Sequence, residues 1–301
     1  MKKIIPAFLV LSIVLLSLSA CGAKYKATVN GVQVQSGIYA YYLDNEKSSN
    51  SELSQDELKQ AAQKDISHYV MINSEFANRN LKLSAIEKST VSKNVNNYWH
   101  LFSQHYKAIG VSKQELQKIE ENKMYKDLLI RTYYGEGGEE PVSDEVLKTY
   151  FNENYIAFKA ITGFFTTVNN DGAAAMLSDS EKAALIKSFS QYANAINDGS
   201  SIEEVGAALD NINTNSDTVV INRKSTIYPD TFFDKVYEIE INKSASFTIG
   251  DYVFIVSRES LDSEGENLFE TYKTDCLKAL KGDEFDSILS SWSEAYQATV
   301  K

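Results

Sequence analysis

The sequence predicts an α+β protein: a helical domain assembled from both ends of the chain, interrupted by a smaller domain in which helices pack on an antiparallel sheet. Three observations predict it. From Ser36 to Tyr134 apolar residues recur at helical spacing, and three Ser-x-x-Glu pairs open successive segments. From Tyr155 to Ser257 short β-prone runs alternate with helical ones. Beyond Gly265 the helical period returns, with an apolar face that cannot be buried alone. The implied divisions are a leader, 1–20; a helical domain, 21–153, opening with a hairpin at 27–34; an α+β domain, 154–260; and a C-terminal helix, 261–301, that returns to the first domain.

The leader has a basic start, Lys2-Lys3, and an apolar run from Ile4 to Ala20. That run is shorter than the roughly 20 residues a spanning helix needs. It ends in Leu18-Ser19-Ala20-Cys21, which resembles a bacterial lipobox and implies cleavage before Cys21 and diacylglyceryl modification of its thiol. The other reading is an uncleaved anchor. Both place the protein outside the cytoplasmic membrane. Cys276, the second cysteine, cannot pair with a lipidated Cys21, so no disulfide is expected. Its apolar helical position predicts a buried, inert thiol.

The formal net charge is -11, and loss of Lys2 and Lys3 with the leader makes it more negative. That argues against nucleic acid or an anionic membrane surface as the main ligand. Tyrosine (18) and phenylalanine (14) are plentiful. Most should fill the core, and tyrosines in a groove would also suit unfolded apolar segments.

In chain order, Asn30-Gly31 between two β-prone runs predicts a tight hairpin. Ser36 is expected to cap the first helix, with Ile38, Tyr39, Tyr42 and Leu43 inward. Ser54 with Glu57, Ser84 with Glu87 and Ser112 with Glu115 are capping boxes for three more. The third helix should bury Ile86, Val91, Val95, Trp99 and Phe102. His68, His100 and His105 have no Cys or acidic residue at zinc spacing, so no metal is expected. Gly135, Gly137 and Gly138 end the fourth helix, and Pro141 with Ser143 starts a short one.

Ile156–Val168 then reads as one strand, 169–172 as a turn, and 180–197 as a helix. Ser201 with Glu204 caps a short helix to Leu209; 211–216 is a polar loop and 218–221 a strand. Pro229 should start a short helix containing Phe232 and Phe233, and Gly250-Asp251 should close a last hairpin. In the C-terminal helix Gly282-Asp283 marks an expected break. The final residues, 296–300, could add a strand to the Asn30-Gly31 hairpin.

The seam carries a resemblance. Tyr133-Tyr134-Gly135-Glu136-Gly137-Gly138, then Pro141-Val142-Ser143-Asp144-Glu145, then Tyr150-Phe151-Asn152-Glu153-Asn154-Tyr155 running into a strand resemble extracytoplasmic foldases of the PrsA/SurA type. In that family a parvulin-type prolyl isomerase domain sits inside a helical, SurA N-terminal-like chaperone domain. The resemblance implies a lipid-anchored chaperone on the extracytoplasmic face of the cell membrane of a Gram-positive bacterium. Its implied partners are unfolded or secreted client polypeptides and the membrane through the anchor; nucleic acid and cofactors are not expected, and a homodimer is left open.

Prolyl isomerisation needs an apolar pocket and polar groups that weaken amide resonance, against a barrier of about 18–20 kcal/mol. Parvulins carry one histidine in the first strand and another in the last. Ala160 and Val253 stand at those expected positions, no histidine follows His105, and the family's glycine-rich G-G-x-L-G segment is missing. The isomerase-like domain is therefore expected to lack catalytic residues. Phe158, Phe232 and Phe233 are candidates for a client-contacting pocket, against a plain core reading. The alternatives are an active peptidyl-prolyl cis-trans isomerase with an unrecognised site, and a solute-binding lipoprotein of a transporter. No nucleophile elbow, zinc-protease motif, P-loop or dinucleotide fingerprint is present.

Overall fold

Residues 25–168, 172–209, 212–262 and 268–300 are described by the computed structural model. The leader, Cys21, Gly265 and most of the expected 169–172 turn lie outside them. The chain divides into two compact units, Met1–Leu129 with Phe285–Lys301, and Ile130–Glu284. Both points of division fall within long helices.

In the first unit, β1 (Tyr25–Val29) and β2 (Val32–Gln35) form a hairpin across Asn30 and Gly31, both at positive φ. Asn and Gly tolerate that conformation best, which is why this dipeptide makes the turn. Four helices follow: α1 (Ser36–Ser49), α2 (Gln55–Asn78), α3 (Ala85–Ile109) and α4 (Lys113–Tyr134). The boxes at Ser54–Glu57, Ser84–Glu87 and Ser112–Glu115 all form. Ser36 does not cap α1: its N-cap is Gln35, which makes no side-chain capping bond. The Gly37 N–H instead donates to Glu115 Oε1 at 2.9 Å, while Oε2 of the same carboxylate accepts from the Ser112 N–H and Oγ–H. One side chain thus satisfies donors at the starts of two helices.

After the second unit, α9 (Leu268–Ser293) runs unbroken through Gly282, where a break was expected, and ends in the first unit. There β9 (Ala298–Val300) pairs antiparallel with β1, giving the sheet order β2-β1-β9. Tyr296, Ala298 and Val300 pack on a core that includes Val29, Ile38, Ile66, Val70 and Ile119.

The second unit begins with the end of α4 and α5 (Asp144–Asn154), which Ser143 caps. Its four-stranded sheet is antiparallel, in the order β6-β3-β8-β7, from β3 (Tyr155–Phe164), β6 (Ile212–Asn222), β7 (Ser244–Ile249) and β8 (Tyr252–Glu259). The expected single strand at 156–168 is broken at Phe165. Beyond that break a separate hairpin forms, β4 (Thr166–Val168) with β5 (Ala174–Met176). The expected polar loop 211–216 is largely strand, because β6 pairs with β3 on both sides of a bulge; the Phe158–Val219 and Ala160–Asn215 pairs flank it. A ladder of backbone bonds outweighs the low β-propensity of Asn and Asp there.

Helix α6 (Asp179–Asn197) starts one residue early, through a Ser178–Glu181 box. With α7 (Ile202–Ala207) it covers one sheet face, packing Phe189 of α6 over Ile161, Val253 and Ile255. Helix α8 (Phe232–Tyr237), starting three residues after Pro229, covers the other over Phe158, Ala160, Phe254 and Val256. Fully burying each such aromatic or aliphatic side chain contributes about 1.5–3 kcal/mol. Cys276 is buried and free; burial first, and then neighbouring charge, raises its thiol pKa.

Candidate functional site

Each unit presents one candidate surface. In the second unit it is the sheet face under α8. Ala160 is buried there, directly opposite Val256, and its neighbours on that face are Phe158 and Phe254. Val253 points to the opposite face, among Ile161, Phe189 and Ile255. Strand side chains alternate with period two, so Ala160 and Val253 cannot share one site. The residue on β8 that shares the Ala160 face, nearest the closing turn and fully enclosed, is Phe254. Neither the Ala160 nor the Phe254 side chain has an ionisable or hydrogen-bonding group.

The expected pocket residues lie around that face. Phe158 is fully buried and contacts Phe232 with ring centroids 5.3 Å apart; it presents no surface to a client. Phe232 is also buried, stacked on Tyr228 at 4.2 Å and edge-on to Phe254 at 5.0 Å. A small pocket of about 140 Å³ lies at the N-terminal side of α8, lined by Tyr228, Pro229, Thr231, Phe232 and Phe233 with Arg223 and Asp234. The Arg223 guanidinium lies 4.3 Å from the Phe233 ring centroid and pairs with Asp234, so cation–π and ionic contacts close the rim. Thr231 sits at φ +71, an uncommon conformation for a β-branched residue. Packing, rather than a prepared polar cavity, dominates this face.

No protein-family model matches the chain, and no curated protein matches it. Solved structures are similar over most of its length. They include foldase protein PrsA from Lactococcus lactis, at 15% identity over 93% of this chain and 95% of that one, with a TM-score of 0.42. PrsA from Streptococcus pneumoniae follows at 14% identity, over 89% of this chain and 91% of that one, with a TM-score of 0.42. A SurA-like chaperone of Campylobacter jejuni is 8% identical over 92% and 99%, with a TM-score of 0.31. The chain is similar to PrsA-type foldases.

In the first unit the surface is α3. Its inward stripe buries Val91 and Val95 and half-buries Trp99, but Ile86 (79% exposed) and Phe102 (49%), both expected inward, face solvent. Leu101 (67%) and Tyr98 (38%) join them, so Tyr98, Leu101 and Phe102 form an apolar strip along one side of the helix. Helical period identifies an apolar face; it does not say whether the fold supplies a partner to cover it.

Beside the strip lies a tyrosine cluster. Tyr41 of α1 packs on Tyr42 at 5.4 Å and on Tyr106 at 6.5 Å, and Trp99 stacks with Tyr106 at 6.2 Å. Lys123 of α4 lies 5.6 Å from the Tyr41 ring and 5.8 Å from the Tyr98 ring, and bonds the buried Glu120 at 2.6 Å. Burial opposes its charge, but the Glu120 bond and Tyr41 outweigh that and hold the ammonium above the usual lysine range. His105 bonds Asp44 of α1 at 2.7 Å. These contacts tie α1, α3 and α4 together next to the strip. Among the described residues no group of His, Cys, Asp and Glu is placed to hold a metal ion.

Proposed function

We propose that this protein is a lipid-anchored extracytoplasmic chaperone that binds unfolded secreted polypeptides, and that its inserted isomerase-like unit is catalytically silent. The observation that carries the chaperone reading is the uncovered apolar strip of α3 on a tyrosine-lined floor. Apolar side chains standing in water beside polar ones suit weak, reversible contact with unfolded segments of varied sequence. Ala160 and Phe254 on the enclosed sheet face support the silent reading, since neither can polarise a prolyl amide. Lys2, Lys3 and the Leu18–Cys21 motif support the anchor. No helix among the described residues is long and apolar enough to cross a membrane. On this reading the acyl chains hold the protein, each buried methylene contributing about 0.8 kcal/mol.

The test uses the chain from Gly22, which keeps every described element. It is added to a refolding client whose slow phase is limited by a trans-to-cis proline step, and rate and yield are followed. The expected result is a higher yield at an unchanged slow rate, with the yield gain lost in a Leu101→Ser/Phe102→Ser variant. A slow phase that accelerates in proportion to protein concentration would refute the silent site. An unchanged yield would refute the chaperone reading.

A further inference from the structure

The turn between β1 and β2 holds the one Asn-Gly pair in the sequence. An asparagine before a glycine is chemically unstable. The next backbone nitrogen lies within reach of the side-chain carbonyl carbon, and glycine has no side chain to hinder its attack. Asn30 and Gly31 are both exposed, and a Cβ added at Gly31 would meet nothing within 4 Å, so the pair is open to solvent. The native fold nevertheless restrains the reacting groups. Asn30 Nδ2 donates to the Ala295 carbonyl at 2.7 Å. Asn30 and Gly31 are fixed at φ +47 and +81 in a turn closed by the Val29–Val32 pair, and Val29 is paired on its other side with Ala298 of β9. To react, the amide must leave the Ala295 carbonyl and turn toward its own backbone, which a closed hairpin resists.

We propose that Asn30 is a site of spontaneous deamidation that the docking of β9 holds in check. In the reaction the Gly31 nitrogen gives up its proton and attacks Asn30 Cγ. A C–N bond forms, the bond from Cγ to Nδ2 breaks, and the amide nitrogen leaves as ammonia with that proton, giving a succinimide ring. Water then opens the ring at either carbonyl, leaving aspartate or isoaspartate. Both products remove the contact that guards the site. A carboxylate accepts hydrogen bonds but donates none, so it faces the Ala295 carbonyl acceptor to acceptor. Isoaspartate also adds a backbone carbon to a two-residue turn whose length sets the strand register. Ala27, Val29 and Val34 are only 0–2% exposed in the core of the first unit, so β1 and β2 cannot shift without moving buried side chains. The change is therefore self-locking: a chain that deamidates while β9 is undocked loses a contact that docks it.

The test incubates the chain from Gly22 at mildly alkaline pH, in buffer and in urea. Residue 30 is followed by peptide mapping and by labelling with an isoaspartyl methyltransferase. Modification through an opened state tracks the population of that state, so the native rate is expected to lie at least about tenfold below the urea rate. Val300 packs on the core of the first unit, and Val300→Ala trims that packing while leaving every other element in place. It should raise the native rate several-fold and leave the urea rate unchanged. The deamidated wild type, separated by its added negative charge, should have a lower thermal midpoint, and Asn30→Asp should lower the midpoint in the same direction. A native rate equal to the urea rate would overturn the proposal, because the fold would then offer no protection. A native rate that Val300→Ala does not change would also overturn it, because β9 would not be the guard. A deamidated protein that keeps the wild-type midpoint would refute the self-locking step.

Discussion

Replacing Gly37 by alanine should lower the stability of the first unit, although alanine is the better helix former. A Cβ built on Gly37 falls 2.3–2.5 Å from the carboxylate atoms of Glu115. The carboxylate must swing away, giving up the Gly37 N–H and straining its bonds to Ser112. A hydrogen bond to a charged acceptor contributes about 1.5–3 kcal/mol. Alanine returns about 1 kcal/mol of helix propensity, so the expected net loss is about 1 kcal/mol. In a Glu115→Ala background the clash and the bonds are both gone, and the same substitution should stabilise by about 0.5–1 kcal/mol. Both tryptophans, Trp99 and Trp292, belong to this unit, so tryptophan fluorescence during urea unfolding reports on it selectively. The measured quantity is the coupling in the double-mutant cycle, expected near 2 kcal/mol. Equal effects of Gly37→Ala in the two backgrounds would refute the shared cap.

Three further outcomes are expected. The Asp65 carboxyl is pushed up to about 7 by burial and then by the Glu46 carboxylate across the α1–α2 contact. The folded state therefore holds a proton the unfolded chain has released, so this group's contribution is present at low pH and is lost as pH rises from about 4 to about 7. The thermal midpoint of Asp65→Asn, relative to wild type, should rise between pH 4.5 and 7.5. In the second unit, Gly163→Ala places a Cβ 2.5 Å from the Phe189 ring and 2.9 Å from Val253, and should cost about 1–3 kcal/mol by overpacking, read by the unit's denaturation midpoint. The buried Cys276 thiol should resist an aromatic disulfide reagent in the native protein and react fully in denaturant; rapid native labelling would contradict its burial.

Features governed by neighbouring residues are legible in the sequence. The Ser-x-x-Glu boxes and the Asn30-Gly31 turn depend on atoms within a few positions of one another, and they form as expected. The Ser178–Glu181 box is of the same local kind and sets the true start of α6, ahead of the expected Ser180. Features decided by distant partners are not legible. Gln35, Ser36 and Gly37 hold no sign that Glu115 will cap them, and 212–216 reads as loop until β3 offers it a ladder. The second expected site position illustrates the same limit. Val253 follows the Gly250-Asp251 turn and Tyr252, but only the pairing register shows that Phe254, not Val253, shares a face with Ala160. The exposure of Ile86 and Phe102 depends on whether another element covers α3, which the 3.6-residue period does not encode.

The pairing of β1 with β9 sets an order of events during synthesis. Asn30 donates to the Ala295 carbonyl, 265 positions further along the chain, and β1 has β9 as its second neighbour. The hairpin thus emerges early and waits with one edge bare, while residues 130–284 come out as one continuous stretch able to fold on local contacts. Only when residues 298–300 arrive can that edge close. Until then the nascent protein exposes an unpaired strand edge, the kind of surface that invites pairing with another chain.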